Sequence, residues 1–166
     1  MHMTKEEFIA AAAAAAQASS ATSGFPPGIA VAQAALESAW GNSQLARVAN
    51  NYFGIKARRG GEAIELPTIE YVDGAPVRVP ARFVKYASAA ECFAARDRMI
   101  TLLSAYREAR AAAGDPEAFT RALARRWATD PGYAEKVLYL YRVHGLDRLD
   151  LLSTETPAGQ VPAWHG

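Results

Sequence analysis

The sequence predicts a mainly helical α+β fold, a helical body with a small antiparallel β ribbon inserted in its middle. Three observations lead there. Apolar residues recur at spacings of three and four near both ends of the chain. Residues 62–86 change to β-formers around a hairpin signal, Asp73-Gly74. The length of 166 residues, 51% of them hydrophobic, is enough for one core and too ordered in composition for a disordered chain. No repeat or linker divides it, so residues 1–152 read as a single domain. The stretch 153–166 is polar and rich in Pro and Gly, and reads as a flexible tail.

The elements follow in order. Thr4-x-x-Glu7 is a capping box, and the alanine-rich run behind it predicts a helix over about 4–20. Ser23-Gly24-Phe25-Pro26-Pro27 breaks it, and Pro27 suits the first turn of the next helix. That helix runs to about Trp40, with Ile29, Ala32, Leu36 and Trp40 on one apolar face. Asn42-Ser43 caps a short helix through Ala49. In the ribbon, Ile64, Leu66, Ile69, Tyr71, Val72, Val77, Val79, Phe83 and Val84 favour strands, and Pro67 and Pro80 demand edge positions or strand ends. Ser88-x-x-Glu91 starts a helix expected to continue through Phe93, Ile100 and Leu103 to about Ala113. Asp115-Pro116 starts another with Phe119, Leu123 and Trp127. Thr129-Asp130-Pro131 starts the last, with Val137, Leu140 and Tyr141, stopped by Gly145. A ribbon standing on a helical lobe makes a cleft, where ligands usually bind.

Composition narrows the function. Eighteen basic and seventeen acidic residues leave a net charge of +1, so neither nucleic acid nor an anionic membrane is an expected partner. No apolar run is long enough for membrane insertion. The alanine-rich start follows Glu6 and Glu7, not a basic leader region, so it reads as a helix and not a signal peptide. The single cysteine, Cys92, sits in an apolar helical pattern and reads as a buried structural thiol. His2, His144 and His165 have no partners at metal-ligand spacing, and no phosphate loop is present, so no metal and no cofactor are expected. Gly60-Gly61 reads as a turn.

The run Ala34-Ala35-Leu36-Glu37-Ser38-Ala39-Trp40-Gly41 carries most of the chemistry. It places one carboxylate at the end of an apolar helix, just before a glycine. At about 100° per residue, Glu37 lies roughly 80° from the centre of the buried face, with Gln33 one turn behind. This expects a half-buried carboxylate at the seam of core and surface. Partial burial raises a carboxyl pKa toward the range a general acid needs.

The segment from Ala32 to Gly41, with Ser43, Leu45 and Ala46, followed by Ala49-Asn50-Asn51-Tyr52-Phe53-Gly54-Ile55-Lys56, resembles glycoside hydrolase family 73. So do Thr68-Ile69-Glu70-Tyr71 with Asp73-Gly74, and Trp127-Ala128-Thr129-Asp130-Pro131-x-Tyr133-Ala134-x-Lys136-Val137. The motifs stand in the family's order over about residues 5–145. The resemblance implies a lysozyme-like helical lobe and an endo-β-N-acetylglucosaminidase that cuts peptidoglycan, like the flagellar peptidoglycan hydrolase domains. It gives Glu37 the role of general acid, Glu70 that of second carboxylate and Tyr133 a place in the active site. Glu62 and Glu65 are rival carboxylates outside the matched motif.

Alternation puts Glu70 on the face opposite Ile69 and Tyr71. Ser38, Asn50, Asn51, Tyr52, Phe53, Tyr71 and Trp127 are the candidate substrate contacts. The Asn pair also suits a helix C-cap and turn, and for Trp40 and Trp127 packing in the core is the leading reading. Two mechanisms stay open: Glu70 activates water with inversion, or the substrate's 2-acetamido group attacks with retention. A muramidase, a lytic transglycosylase or a non-catalytic wall-binding module are the rivals.

The implied partner is the peptidoglycan glycan strand, met by a monomer at the cell wall or in the periplasm. The route there is expected to be a phage lysis system or a specialised secretion apparatus, unless the sequence is trimmed from a longer chain. Ala39 stands where many relatives carry Gly, a change expected to leave the helix end intact.

Overall fold

A computed structural model describes residues 2–151. The tail expected over 153–166 lies outside these residues. The elements run α1 (Lys5–Ser23), α2 (Pro27–Ser38), α3 (Gln44–Ala49), β1 (Ala63–Val72), β2 (Ala75–Val84), α4 (Ala89–Leu102), a 3-10 turn (Ser104–Tyr106), α5 (Arg107–Ala111), α6 (Pro116–Trp127) and α7 (Tyr133–Val143). The capping box at Thr4 closes as its sequence expects, with the Thr4 hydroxyl accepting from Glu7 N at 3.1 Å and the Glu7 carboxylate from Thr4 N at 2.8 Å.

Helix α2 is the axle of the lobe. It packs on α1 along one side and on α7 along the other. From Pro27 to Ala35 every residue is buried, so it has no solvent face at all. Small side chains allow this. At Gly28 a Cβ would stand 2.3 Å from the Leu146 carbonyl oxygen and 2.8 Å from the Tyr141 ring, so only glycine admits the chain after α7 this closely. Asp150 clamps the same corner, accepting from Gly28 N at 2.7 Å and from the Tyr141 hydroxyl.

The predicted long helix over 88–113 is broken. Leu103 is extended, with φ −83° and ψ 132°, and ends α4. Arg110 stabilises the break by donating from Nη1 to the carbonyls of Ile100 at 2.7 Å and Leu103 at 2.8 Å. Local periodicity does not reveal such a break, because Arg110 satisfies it from ten residues away.

The β ribbon is two-stranded and antiparallel, with register Glu70↔Val77 and a turn at Asp73-Gly74. Pro67 faces Pro80 at its middle. Both strands are edges, so neither missing N–H breaks the sheet further. Its base is tied to the loop after α3 through Val84 N to Ile55 O at 3.1 Å and Ala57 N to Arg82 O at 2.9 Å. Lys56 bridges to Phe83 at that base, yet its ammonium lies 3.8 Å from Glu70, near the far end. Six residues of straight strand would span ~20 Å, so the ribbon curls back toward its own base.

Cys92 is buried, as expected, and accepts a bond from Tyr52 N at 3.4 Å. Burial pushes its thiol up to about 12, and the Tyr86 phenol likewise to about 12. Unfolded, the two groups would ionise near 9 and 10. Both folded pKa values are raised, so the folded chain holds these protons longer than the unfolded one. Their contribution to stability is complete below pH 9 and falls as pH rises through 12. Thermal melting at pH 11 is therefore expected to occur roughly 5 °C or more below that at pH 8. Equal midpoints would contradict this assignment.

Candidate active site

Glu37 lies in the last turn of α2, and the helix ends one residue later at Ser38. Ala39, Trp40 and Gly41 then take three left-handed conformations in a row, with φ of 51°, 58° and 80°. This unwinding turns the chain away sharply, so Glu37 emerges where an otherwise buried helix reaches the surface. The seam expectation needs correcting here: Glu37 is exposed, not half-buried. It escapes the core by sitting at the helix end, since the sides of α2 are all covered.

The left-handed run costs energy at Ala39, where Cβ opposes that conformation. Trp40 N to Ala35 O at 3.0 Å, and packing of the Trp40 ring 5.9 Å from Phe8 and 4.8 Å from His144, help hold it. Ala39 is exposed and packs on little. Ala39→Gly is expected to raise stability by about 0.5–1 kcal/mol, after allowing for the greater freedom of unfolded glycine. A melting midpoint at or below wild type would refute the strain. The substitution that looked neutral in sequence is thus a strained position.

Two donors meet on one oxygen of Glu37. The Tyr133 hydroxyl donates to Oε2 at 2.6 Å and the Trp127 indole Nε1 at 3.1 Å. Tyr133 opens α7 and Trp127 closes α6, so the short 128–132 loop brings both to the end of α2. Asp130 shapes that loop, accepting from Gly132 N at 2.8 Å and from Lys136 at 2.6 Å. The Trp127 ring rests against Phe53 and Tyr106, both at 6.2 Å. Burial first, then the neighbouring Glu37 carboxylate, pushes the Tyr133 phenol well above its ordinary range. Tyr133 is therefore a proton-bearing donor at any working pH, and not a base. Oε1 of Glu37 has no protein partner among the described residues.

Glu70 stands outside this cluster, exposed on the ribbon and paired with Lys56 at 3.8 Å. Register places it with Val77 on one face, while Glu65, Ile69 and Tyr71 take the other. Tyr71 is 74% exposed and does not share a wall with Glu70. Glu62 precedes the strand, and its carbonyl accepts from Lys85 N at 3.1 Å.

Several of the candidate substrate contacts have structural partners of their own. Ser38 is buried, donating to Ala34 O at 2.6 Å and accepting from Gly41 N at 2.9 Å, which caps α2. Asn50 is the left-handed C-cap of α3 and donates to Tyr86 O at 3.1 Å. Asn51 is buried; it donates to Ile55 O and Val84 O, both at 2.9 Å, and accepts from Ile55 N at 3.1 Å, which knots the ribbon to the lobe. Tyr52 packs between Phe8 and Phe93, and Phe53 is buried 4.9 Å from Phe93. Trp127 does both jobs weighed for it, packing and reaching the site.

The groups missed in sequence are Arg96 and Asp97. Both are buried on α4, with Nη1 and Oδ1 2.7 Å apart. An Arg-Asp pair inside an apolar stripe was the available signal. Among the described residues, no group of three or more His, Cys, Asp or Glu could hold a metal ion. No helix there is long and apolar enough to cross a membrane.

Known proteins share this arrangement of helices and ribbon. The sequence pattern of the glucosaminidase family, described as mannosyl-glycoprotein endo-beta-N-acetylglucosaminidase, matches residues 13–146. Exo-glucosaminidase LytG of Bacillus subtilis is 34% identical over 129 residues, covering 75% of this chain and 46% of that protein. Peptidoglycan hydrolase FlgJ of Vibrio parahaemolyticus is 37% identical over 121 residues, covering 69% of this chain and 39% of that protein. The chain thus spans less than half the length of these relatives. The catalytic domain of the autolysin Auto from Listeria monocytogenes superposes with a TM-score of 0.80 at 30% identity, covering 90% of this chain and 91% of that one. The glycoside hydrolase domain of Salmonella typhimurium FlgJ, truncated at its C-terminus, gives 0.70 at 33% identity, covering 84% and 97%. With the ordered motifs, the lobe-and-ribbon fold and these matches together, the chain belongs to the glucosaminidase family, glycoside hydrolase family 73.

Proposed function

We propose that this domain hydrolyses the β-1,4 bond following N-acetylglucosamine in peptidoglycan glycan strands, with Glu37 as the general acid. The observation that carries this reading is the exposed Glu37 carboxylate, held through Oε2 by Tyr133 and Trp127 with Oε1 left open. The transferable proton then belongs on Oε1. It passes to the glycosidic oxygen as the bond to the anomeric carbon breaks and positive charge grows there. The two donors hold the carboxylate that remains. Relatives named as peptidoglycan hydrolase and exo-glucosaminidase support the substrate class. Action at the cell wall follows from that substrate, and the monomer is part of the same proposal.

Glu70 is the second carboxylate in this reading. As a base it activates water and inverts the anomeric centre; if the substrate's acetamido group attacks instead, the configuration is retained. Proton NMR of the first-formed anomer, with wild type and Glu70→Gln, distinguishes the two.

The test of the whole reading is mass spectrometry of sacculi digested by the protein, after borohydride reduction. Reduced N-acetylglucosamine ends are expected. Reduced muramic ends would make it a muramidase, and anhydro-muramic ends a lytic transglycosylase. A protein that binds sacculi and releases nothing would be a wall-binding module.

A further inference from the structure

Gln33 is the one polar side chain in the fully buried part of α2, and no described atom bonds its Nε2 within full hydrogen-bond geometry. Its Oε1 accepts from Arg96 Nε at 3.0 Å. Arg96 is itself 0% exposed and lies between the rings of Phe53 and Phe119, at 5.7 and 5.8 Å. Its Nη1 donates to Asp97 Oδ1 at 2.7 Å, while Nη2 is buried without a closed bond. The other Asp97 oxygen accepts from Ser19 and Ser23, each at 2.7 Å. The chain of contacts therefore runs from α1 through α4 to α2. It ends on α2 one turn before Glu37, which the Tyr133 hydroxyl bonds at 2.6 Å, and Gln33 favours the charged form of that phenol.

We propose that Gln33 and Arg96 are positioning residues that fix the direction of the Tyr133 hydroxyl and, through it, the oxygen of Glu37 that carries the proton. The argument is one of donors and acceptors. A guanidinium only donates, so Arg96 forces the Gln33 carbonyl oxygen to face it. The Gln33 NH2 is then turned away from Arg96; it closes no bond of full geometry and acts on the Tyr133 phenol as a donor. The Tyr133 O–H is left to point at Glu37 Oε2, where it is found at 2.6 Å. Asp97, with Ser19 and Ser23, holds Arg96 in the one pose that starts this sequence. A purely structural core would not choose these groups. A buried ion pair is often matched or bettered by apolar side chains of similar volume, and buried donors without closed bonds cost stability.

This inference rests on the reading of Glu37 as the acid, and its test separates the two. Gln33→Glu keeps an acceptor for Arg96 and offers Tyr133 no donor; Gln33→Met removes both. Each is measured for kcat and KM on soluble glycan-strand fragments, alone and with Tyr133→Phe. The protein is also labelled with 13Cζ-tyrosine, the Tyr133 signal being the one lost in Tyr133→Phe.

Both Gln33 variants are expected to lower kcat by about ten- to a hundredfold with KM changed less than about twofold. In the Tyr133→Phe background they should lower it hardly further, since they act through that hydroxyl. The Tyr133 signal should shift in Gln33→Glu. An unchanged kcat, losses that multiply with Tyr133→Phe, or an unmoved Tyr133 signal would overturn the proposal. A wild-type protein that cleaves no glycan, while Gln33→Glu still shifts the Tyr133 signal, would remove the glycosidase reading and leave the hydrogen-bond chain standing.

Discussion

Glu37→Gln is expected to lower hydrolysis of glycan strands by about 10³-fold while leaving the fold intact. The amide oxygen can still accept from Tyr133 and Trp127, which now bond Oε2 at 2.6 and 3.1 Å. The constellation therefore survives the change. What is lost is the proton. An amide at the open position can hydrogen-bond the glycosidic oxygen but cannot protonate it, so the leaving group departs as an unassisted alkoxide. Because Glu37 is exposed and belongs to no ion pair among the described residues, its replacement should move the melting midpoint by no more than about 2 °C. Sacculus clearing and thermal melting, measured side by side, check both halves. Undiminished clearing would remove Glu37 from the mechanism, and a collapsed midpoint would make any loss of activity a folding effect.

Gly28→Ala is expected to have the largest effect on stability. The added methyl would stand 2.3 Å from a backbone oxygen, that of Leu146, and 2.8 Å from the Tyr141 ring. A backbone atom cannot rotate aside as a side chain can. The corner is also pinned, since Asp150 bonds both Gly28 N and the Tyr141 hydroxyl. Relief therefore requires α2 and the end of α7 to separate, at a cost of about 3 kcal/mol. That corresponds to a fall in melting midpoint of roughly 10 °C. The same two helices carry Glu37 and Tyr133 at their opposite ends, so a wedge at Gly28 should also weaken the 2.6 Å contact between those residues. A midpoint within about 2 °C of wild type would show that the corner yields without cost.

The contrast between Glu37 and Glu70 shows how much of the site the chain order reveals. Both carboxylates stand out in sequence because each sits in an otherwise apolar or β-forming stretch. For Glu37, helix geometry suggests the right neighbourhood and misjudges the surroundings. Its exposure depends on three left-handed residues after Ser38, and helical periodicity cannot register a helix that stops early. For Glu70, alternation correctly separates it from Ile69 and Tyr71, as the register shows. Its approach to Lys56 depends on the curl of the ribbon, a property of the whole hairpin.

Ser38, Asn50 and Asn51 teach the opposite lesson. Each has the chemistry of a sugar contact, yet nearby backbone groups engage the Ser38 hydroxyl, the Nδ2 of Asn50 and both polar ends of Asn51. A polar side chain near a site has two possible uses, and only the positions of the local carbonyls decide between them.

By itself the sequence determined the helical lobe, the inserted ribbon, the caps at Thr4 and Ser88 and the buried Cys92. These depend on residues a few positions apart, whose spacing is visible in the chain. The tertiary structure alone decided that Tyr133 and Trp127 would meet on one oxygen of Glu37, some ninety residues away, and that Arg96 would be buried against Gln33. Such contacts depend on how α2, α4, α6 and α7 pack. That packing is set by close approaches such as Gly28 on Leu146, which no local pattern records.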